Sequence, residues 1–148
     1  MKIFGCVLIF ISSLLSSHFY ERHLKKRIEI LEEFISLIVF IRNKIEYFSI
    51  PINKILLEFN AKTKFIKSLI ENKEINCVYF DKETENLLSS FISNVGNGYK
   101  NEQIALCDYN IEIFRQKMNK NKEEYPKKVK TFRAVSLFVG ISIIILLI

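Results

Sequence analysis

Residues 45–58 read IEYFSIPINKILLE, and the fold turns on what Pro51 does within that stretch. Upstream of it, apolar residues recur at Leu24, Ile28, Leu31, Ile35, Ile38, Ile41 and Ile45. Steps of three and four mark the buried stripe of an amphipathic helix. Phe34, Leu37, Val39, Phe40 and Phe48 widen the stripe, which suits a helix covered on several sides, as in a bundle. Glu29, Glu32 and Glu33 stand between these positions, with Lys25 and Glu29 one turn apart as a charge pair. A residue that precedes proline is driven out of the α region, so this helix is expected to end at Ile50. Pro51 then suits the first position of a new helix, where its missing N–H costs nothing. Ile52, Ile55, Leu56 and Phe59 give the new helix its face. Tyr47 either packs at this corner and holds the reversal, or is a surface residue beside a loop.

Further along, NAKT (Asn60–Thr63) reads as a turn, followed by a short helix with Phe65, Ile66, Leu69 and Ile70. Glu71–Phe80 reads as an irregular link or a short helix, since a lone strand would have nothing to pair with. Asp81 is a plausible N-cap for a helix carrying Leu87, Leu88, Phe91 and Ile92. NVGNG (Asn94–Gly98) is the strongest turn signal in the chain. Ile104, Cys107, Ile111, Phe114 and Met118 then repeat in helical steps, and Tyr125, Val129 and Phe132 continue the register past Pro126. The pattern predicts an all-α, antiparallel helical bundle of about five helices.

The ends of the chain are apolar. Ile3–Tyr20 contains no Asp, Glu, Lys or Arg, and Ala134–Ile148 is a shorter apolar run. At about 1.5 Å per residue they cover roughly 27 and 22 Å, so N- and C-terminal transmembrane helices are expected at 1–20 and 134–148. Residues 21–133 would form a cytoplasmic helical domain, because Arg22, Lys25, Lys26 and Arg27 follow the first run and Lys127, Lys128, Lys130 and Arg133 precede the second. A cleaved signal peptide is the alternative for the first run, which has Lys2 and small serines. On that alternative the chain is a secreted or membrane-surface helical binding module with a C-terminal anchor. The formal charge of +6 is concentrated beside the two runs, where membrane topology and anionic lipid account for it. No nucleic-acid motif accompanies it. Cys6, Cys77 and Cys107 lack CxxC spacing and read as small buried residues in a reducing compartment.

Little in the sequence points to chemistry. His18 and His23 have no partner one turn away, which favours interface residues over metal ligands. HExxH and GxSxG motifs are absent, and the Gly96 and Gly98 turn lacks the Lys-Ser/Thr of a P-loop. Glu123 and Glu124 fall in a charged, solvated stretch. No enzyme activity, cofactor or metal site is expected.

Taken in order, the pieces resemble the stage III sporulation protein AB family of endospore-forming bacteria across the chain. The opening MKIFGCVLIF looks like that family's short N-terminal span, and KIEYFSIPI is similar to its E-I-x-Y-x-x-T-P-L corner, which contains Tyr47 and Pro51. FISNVGNGYKNEQ resembles its F-G-x-x-L-G-x-x-D-x-x-x-Q stretch at Phe91, Gly96 and Gln103. The chain departs from the pattern at Ile50, Lys54, Ile92 and Tyr99, so the capping hydroxyl before Pro51 is missing and Ser49 would have to serve.

The resemblance implies a structural membrane platform subunit of the mother cell–forespore channel, a secretion-like complex required for sporulation. It implies a cytoplasmic domain similar to the inner-membrane platform protein of type II secretion and type IV pilus machines. The implied partners are a secretion-type ATPase, stage III sporulation protein AA, and other membrane subunits. The implied location is the mother-cell membrane around the forespore.

Overall fold

A computed structural model of the protein describes residues 2–48, 51–72 and 78–147. They form α1 (Lys2–Tyr47), α2 (Ile52–Glu58), α3 (Lys64–Asn72), α4 (Lys82–Asn94) and α5 (Lys100–Leu147), with no strand among the described residues. The all-α fold of five helices agrees with the sequence pattern. The expected stop at Ile50, the Ser49 cap, the centre of the Glu71–Phe80 link and Cys77 lie outside the described residues, as does the Cys6 side chain. The chain divides into two compact units, Arg27–Asn119 and Met1–Lys26 with Lys120–Ile148.

The Arg27–Asn119 unit is a helical bundle built on the stripe of α1. Ile30, Leu31, Phe34, Leu37, Ile38 and Ile41 are all fully buried, two core positions per turn where a narrow seam would have one. They meet Ile55 and Leu56 of α2, Ile66 and Leu69 of α3, Leu88 and Phe91 of α4, and Cys107, Ile111 and Phe114 of α5. Phe34 sits edge-on to Phe91 at 5.7 Å and to Phe114 at 4.9 Å between ring centroids, the geometry aromatic quadrupoles favour. Cys107 belongs to this core, and burial, assisted by Asp108, pushes its thiol up to about 11. A thiol so raised is unreactive at neutral pH.

Glu33, one of the three glutamates between the stripe positions of α1, reaches partners on another element. Its carboxylate is buried and accepts the backbone N–H groups of Thr63, at 3.1 and 2.9 Å, and of Lys62. Those amides lead into α3, whose first turns need acceptors that the helix itself cannot supply. The Thr63 hydroxyl accepts a further one from Ile66 N–H at 3.3 Å. Thus α1 supplies part of the N-terminal cap of α3 across the core.

Asp81 lies at the N-cap of α4 as predicted, but its side chain makes no capping bond to the helix amides. Instead its Oδ1 accepts the Thr84 hydroxyl at 2.9 Å and an Arg27 N–H at 2.7 Å. Arg27 is the first residue of the bundle unit and also lies 5.9 Å from the Phe80 ring. Burial alone would raise the Asp81 carboxyl. The Thr84 hydroxyl, its own backbone N–H, Arg27 and Lys117 outweigh that and hold it below the usual value of 3.8.

The other unit pairs the first part of α1 with the last part of α5. The Ser13 hydroxyl donates to Ser136 O at 2.7 Å, and the Ser136 hydroxyl donates back to Ser13 O at 2.8 Å. Gly140 keeps this seam close, since a Cβ there would come within 3.3 Å of the Ser13 side chain. Tyr20 stacks on Phe132 at 4.2 Å. Glu21 accepts the Tyr125 hydroxyl at 2.9 Å and an N–H of Arg133; these bonds, Tyr125 first, hold its carboxyl below the usual range. The expected Lys25–Glu29 pair is replaced by Lys25–Glu21 at 3.5 Å.

The two expected transmembrane helices are not found as such. Among the described residues no helix is long and apolar enough to cross a membrane. Ser12, Ser13, Ser16, Ser17 and His18 dilute the first run, and α5 is free of charged side chains only after Arg133, where Ser136 and Ser142 interrupt the apolar residues.

Two outcomes test these contacts. Glu33→Gln leaves one oxygen where two accept, and chemical unfolding of the full chain is expected to show a loss of about 1–3 kcal/mol. Asp81 has a lowered folded pKa, so its contribution is present above the unfolded value of 3.8 and lost as pH falls through the folded value. The stability difference between wild type and Asp81→Asn, followed by unfolding from pH 7 downward, is therefore expected to be full at neutral pH. It should close as the solution becomes more acid than the usual carboxylate range.

Candidate functional site

The two sequence motifs, separate by some 40 residues in the chain, meet at one place in the bundle. Pro51 has φ −58° and ψ 138° and precedes the first helical residue of α2 instead of occupying it. Its carbonyl accepts Lys54 N–H at 2.9 Å and Ile55 N–H at 3.3 Å, which starts the helix without a side-chain cap. Beside it, Ile52 packs directly on Gly96 of the turn between α4 and α5. A Cβ on Gly96 would stand 2.5 Å from Ile52 Cγ2, and the glycine has a φ of +92° that L side chains rarely adopt.

Gln103 fastens the turn from the other side. It is buried, with Oε1 accepting Gly96 N–H at 2.8 Å while Nε2 donates to the carbonyls of Asn97 and, at 3.5 Å, Asn94. One amide side chain in the first turn of α5 therefore satisfies backbone groups left over at the end of α4. Glu102 adds half of a capping box by accepting Tyr99 N–H at 3.1 Å. Phe91, the remaining motif residue, lies in the core against Phe34. Gln103, Gly96 and Pro51–Ile52 thus form one lock, with Phe91 beneath it as core.

Tyr47 does not hold the corner. It is 74% exposed, because two residues beyond Ile45 a helix has turned by about 200° and presents the opposite face. The end of α1 is fixed by charged side chains instead. Lys44 pairs with Glu58 of α2 at 2.6 Å, and Lys100 of α5 donates to the carbonyl of Glu46 at 2.5 Å. That second bond places a cation on a C-terminal carbonyl of α1, where the helix dipole favours it. Its chain neighbours Tyr47 and Tyr99 are both exposed, and Phe48 is 54% exposed beside Lys44.

Next to the lock lies an open groove of about 350 Å³, lined by Ile52, Asn53, Ser89, Ile92, Ser93, Val95, Gly96 and Asn97. No lining residue is ionisable, so the groove offers hydroxyls, amides and apolar surface. Such a lining has no acid, base or nucleophile pair and suits contact with another chain. Among the described residues no group of His, Cys, Asp and Glu could hold a metal ion. The membrane-flanking basic residues Arg22, Lys25, Lys26, Lys127, Lys128, Lys130 and Arg133 are all in the other unit, and Lys26 alone of these is half-buried.

Fold and site together define an all-helical bundle protein whose two motifs lock a corner to a turn. The family model for stage III sporulation protein AB matches residues 2–74 and 68–148, and the chain belongs to that family. Membership gives it a role in stage III of sporulation. Comparison with curated proteins and with solved structures returns no match.

The lock has a measurable signature. Gly96→Ala and Gln103→Ala are each expected to cost about 1–3 kcal/mol in chemical unfolding, the first by strain and overlap, the second by leaving the part-buried Gly96 N–H and the Asn97 carbonyl without their side-chain partner. Because they share the Gly96 amide, the double variant should lose less than the sum. Tyr47→Ala should stay within about 0.5 kcal/mol of wild type.

Proposed function

We propose that the protein is a structural platform subunit of a secretion-like membrane complex between mother cell and forespore. In this reading its helical bundle lies in the cytoplasm and docks a secretion-type ATPase, stage III sporulation protein AA. It contributes no chemistry of its own. The observation that carries the reading is the lock beside an uncharged groove, with Tyr47 and Tyr99 exposed next in sequence to the Lys100–Glu46 bond, in a chain of the stage III sporulation protein AB family. Exposed aromatic side chains beside a preformed groove are the usual anchors of protein partners.

The membrane part of the proposal rests on the surface of the other unit. Leu8, Ile11, Leu14, Leu15 and Phe19 of α1 are exposed, as are Val135, Phe138, Val139, Ile141 and Ile145 of α5. The Ser13 and Ser136 hydroxyls face inward, in the seam between the helices, while the exposed Ser16 and Ser142 hydroxyls donate to carbonyls of their own helix. Apolar outside with small residues and inter-helix hydrogen bonds inside is the arrangement of helices packed in lipid. In sequence, the first run is free of charge from Ile3 to Tyr20.

Co-purification of the ATPase with the full chain tests the docking. Asn53→Arg with Ser93→Arg places charge in the groove and, with Tyr47→Ala and Tyr99→Ala, is expected to weaken capture by tenfold or more, about the effect of losing a hot spot. Circular dichroism should show the helices intact. Undiminished capture by all of these variants would exclude this face as the docking surface.

A further inference from the structure

We infer that the basic collar of the Met1–Lys26 and Lys120–Ile148 unit binds anionic phospholipid headgroups. The inference rests on the membrane reading above and adds the chemistry of the lipid recognised. Its first support is a segregation of charge that the overall +6 conceals. This unit holds ten Lys and Arg against three Glu, a net +7, while Arg27–Asn119 holds twelve against thirteen Asp and Glu, a net −1. The whole positive excess therefore belongs to the unit with the apolar exterior.

The second support is the order of surfaces along each helix. In the part of α1 that belongs to this unit, the exposed apolar positions end at Phe19, 66% exposed, and Arg22 follows. In α5 the exposed Lys127, Lys128, Lys130 and Arg133 come first, and Val135 and Phe138 follow. Near the junction of the two zones the Tyr20–Phe132 stack spans the helix pair, with Arg133 one residue beyond it on α5. Apolar surface, an aromatic level and then cations is the sequence of environments met on leaving a bilayer through its headgroups.

The third is the disposition of the three carboxylates, of which Glu123 is exposed and, among the described residues, forms no ion pair, while the other two are engaged. Glu21 is engaged by Tyr125, Arg133 and Lys25, and Glu124 pairs with Lys128 at 2.6 Å. Arg22, Lys127 and Lys130 are exposed and, among the described residues, form no ion pair. Three cations with no internal partner at the edge of an apolar surface match a layer of phosphate groups. A nucleic acid duplex fits less well, because its contact would have to lie against exposed Phe and Val side chains.

Flotation of the full chain, diluted from mild detergent, with phosphatidylcholine vesicles and with vesicles also containing phosphatidylglycerol tests the inference. Binding is expected to favour the anionic vesicles and to weaken with salt. The triple change Arg22→Gln, Lys127→Gln, Lys130→Gln should weaken it by on the order of 100-fold, from the contribution of each cation near an anionic surface. Lys64→Gln, Lys67→Gln, Lys82→Gln removes the same charge from exposed positions of the bundle unit and should leave it unchanged. Equal loss in both triples, equal binding to both vesicle types, or tighter binding to duplex DNA at the same salt would overturn the collar while sparing the membrane reading. Failure to float with either vesicle would overturn both.

Discussion

The bundle depends on the burial of one face, the broad stripe of α1 centred on Phe34. Helices α2 and α3 have 7 and 9 residues, too short to persist in water by themselves. Their stability comes from tertiary burial, and Ile55, Leu56, Ile66 and Leu69 belong to the same cluster as the α1 stripe. Phe34 also reaches α4 and α5 through Phe91 and Phe114. A helix with two core positions per turn cannot be satisfied by one neighbour, so the width of the stripe dictates how many elements gather around it.

Packing alone leaves backbone amides and carbonyls at the short helices' ends, and each requires a partner if it is buried. Two polar side chains supply them from other elements. Glu33, adjacent to Phe34 in sequence, accepts the amides that lead into α3, some 30 residues away. Gln103 does the corresponding work for the turn after α4. Apolar contact would tolerate small slides of one helix on another. Directed bonds from a carboxylate and a carboxamide do not, which fixes where the short helices begin and end.

Periodicity made the helices legible, because burial repeats and each stripe residue reports the same geometry. Of the stripe read from the sequence, Leu31, Phe34, Leu37, Ile38 and Ile41 are buried, while Ile28, Ile35 and Ile45 are half-buried, and NVGNG is a turn with Gly96 at positive φ. What could not be read were the contacts joining residues distant in the chain. Glu33 looks like any charge between apolar positions until Thr63 is brought to it. Tyr47 falls in the motif stretch, yet its rotation about the helix axis puts it outside, and the corner is held by Lys44 and Lys100. The fit of Ile52 on Gly96 carries no periodic signal; only the presence of both residues in recognisable motifs hinted that they matter.

On the two proposals above, charge taken unit by unit separates two modes of recognition within one small chain. The groove beside the lock has no ionisable lining residue, so whatever occupies it must be selected by shape, by desolvation of Ile52, Ile92 and Val95, and by the amides and hydroxyls at its rim. Contacts of that kind act over a few ångströms and respond weakly to salt. The terminal unit carries net +7, and its cations act over a Debye length, about 8 Å at physiological ionic strength. Long-range attraction can concentrate a chain at a charged layer without specifying a contact, whereas the groove can specify a contact only once its partner is near. With the bundle at −1, the positive excess is confined to the terminal unit and absent from the unit that carries the groove.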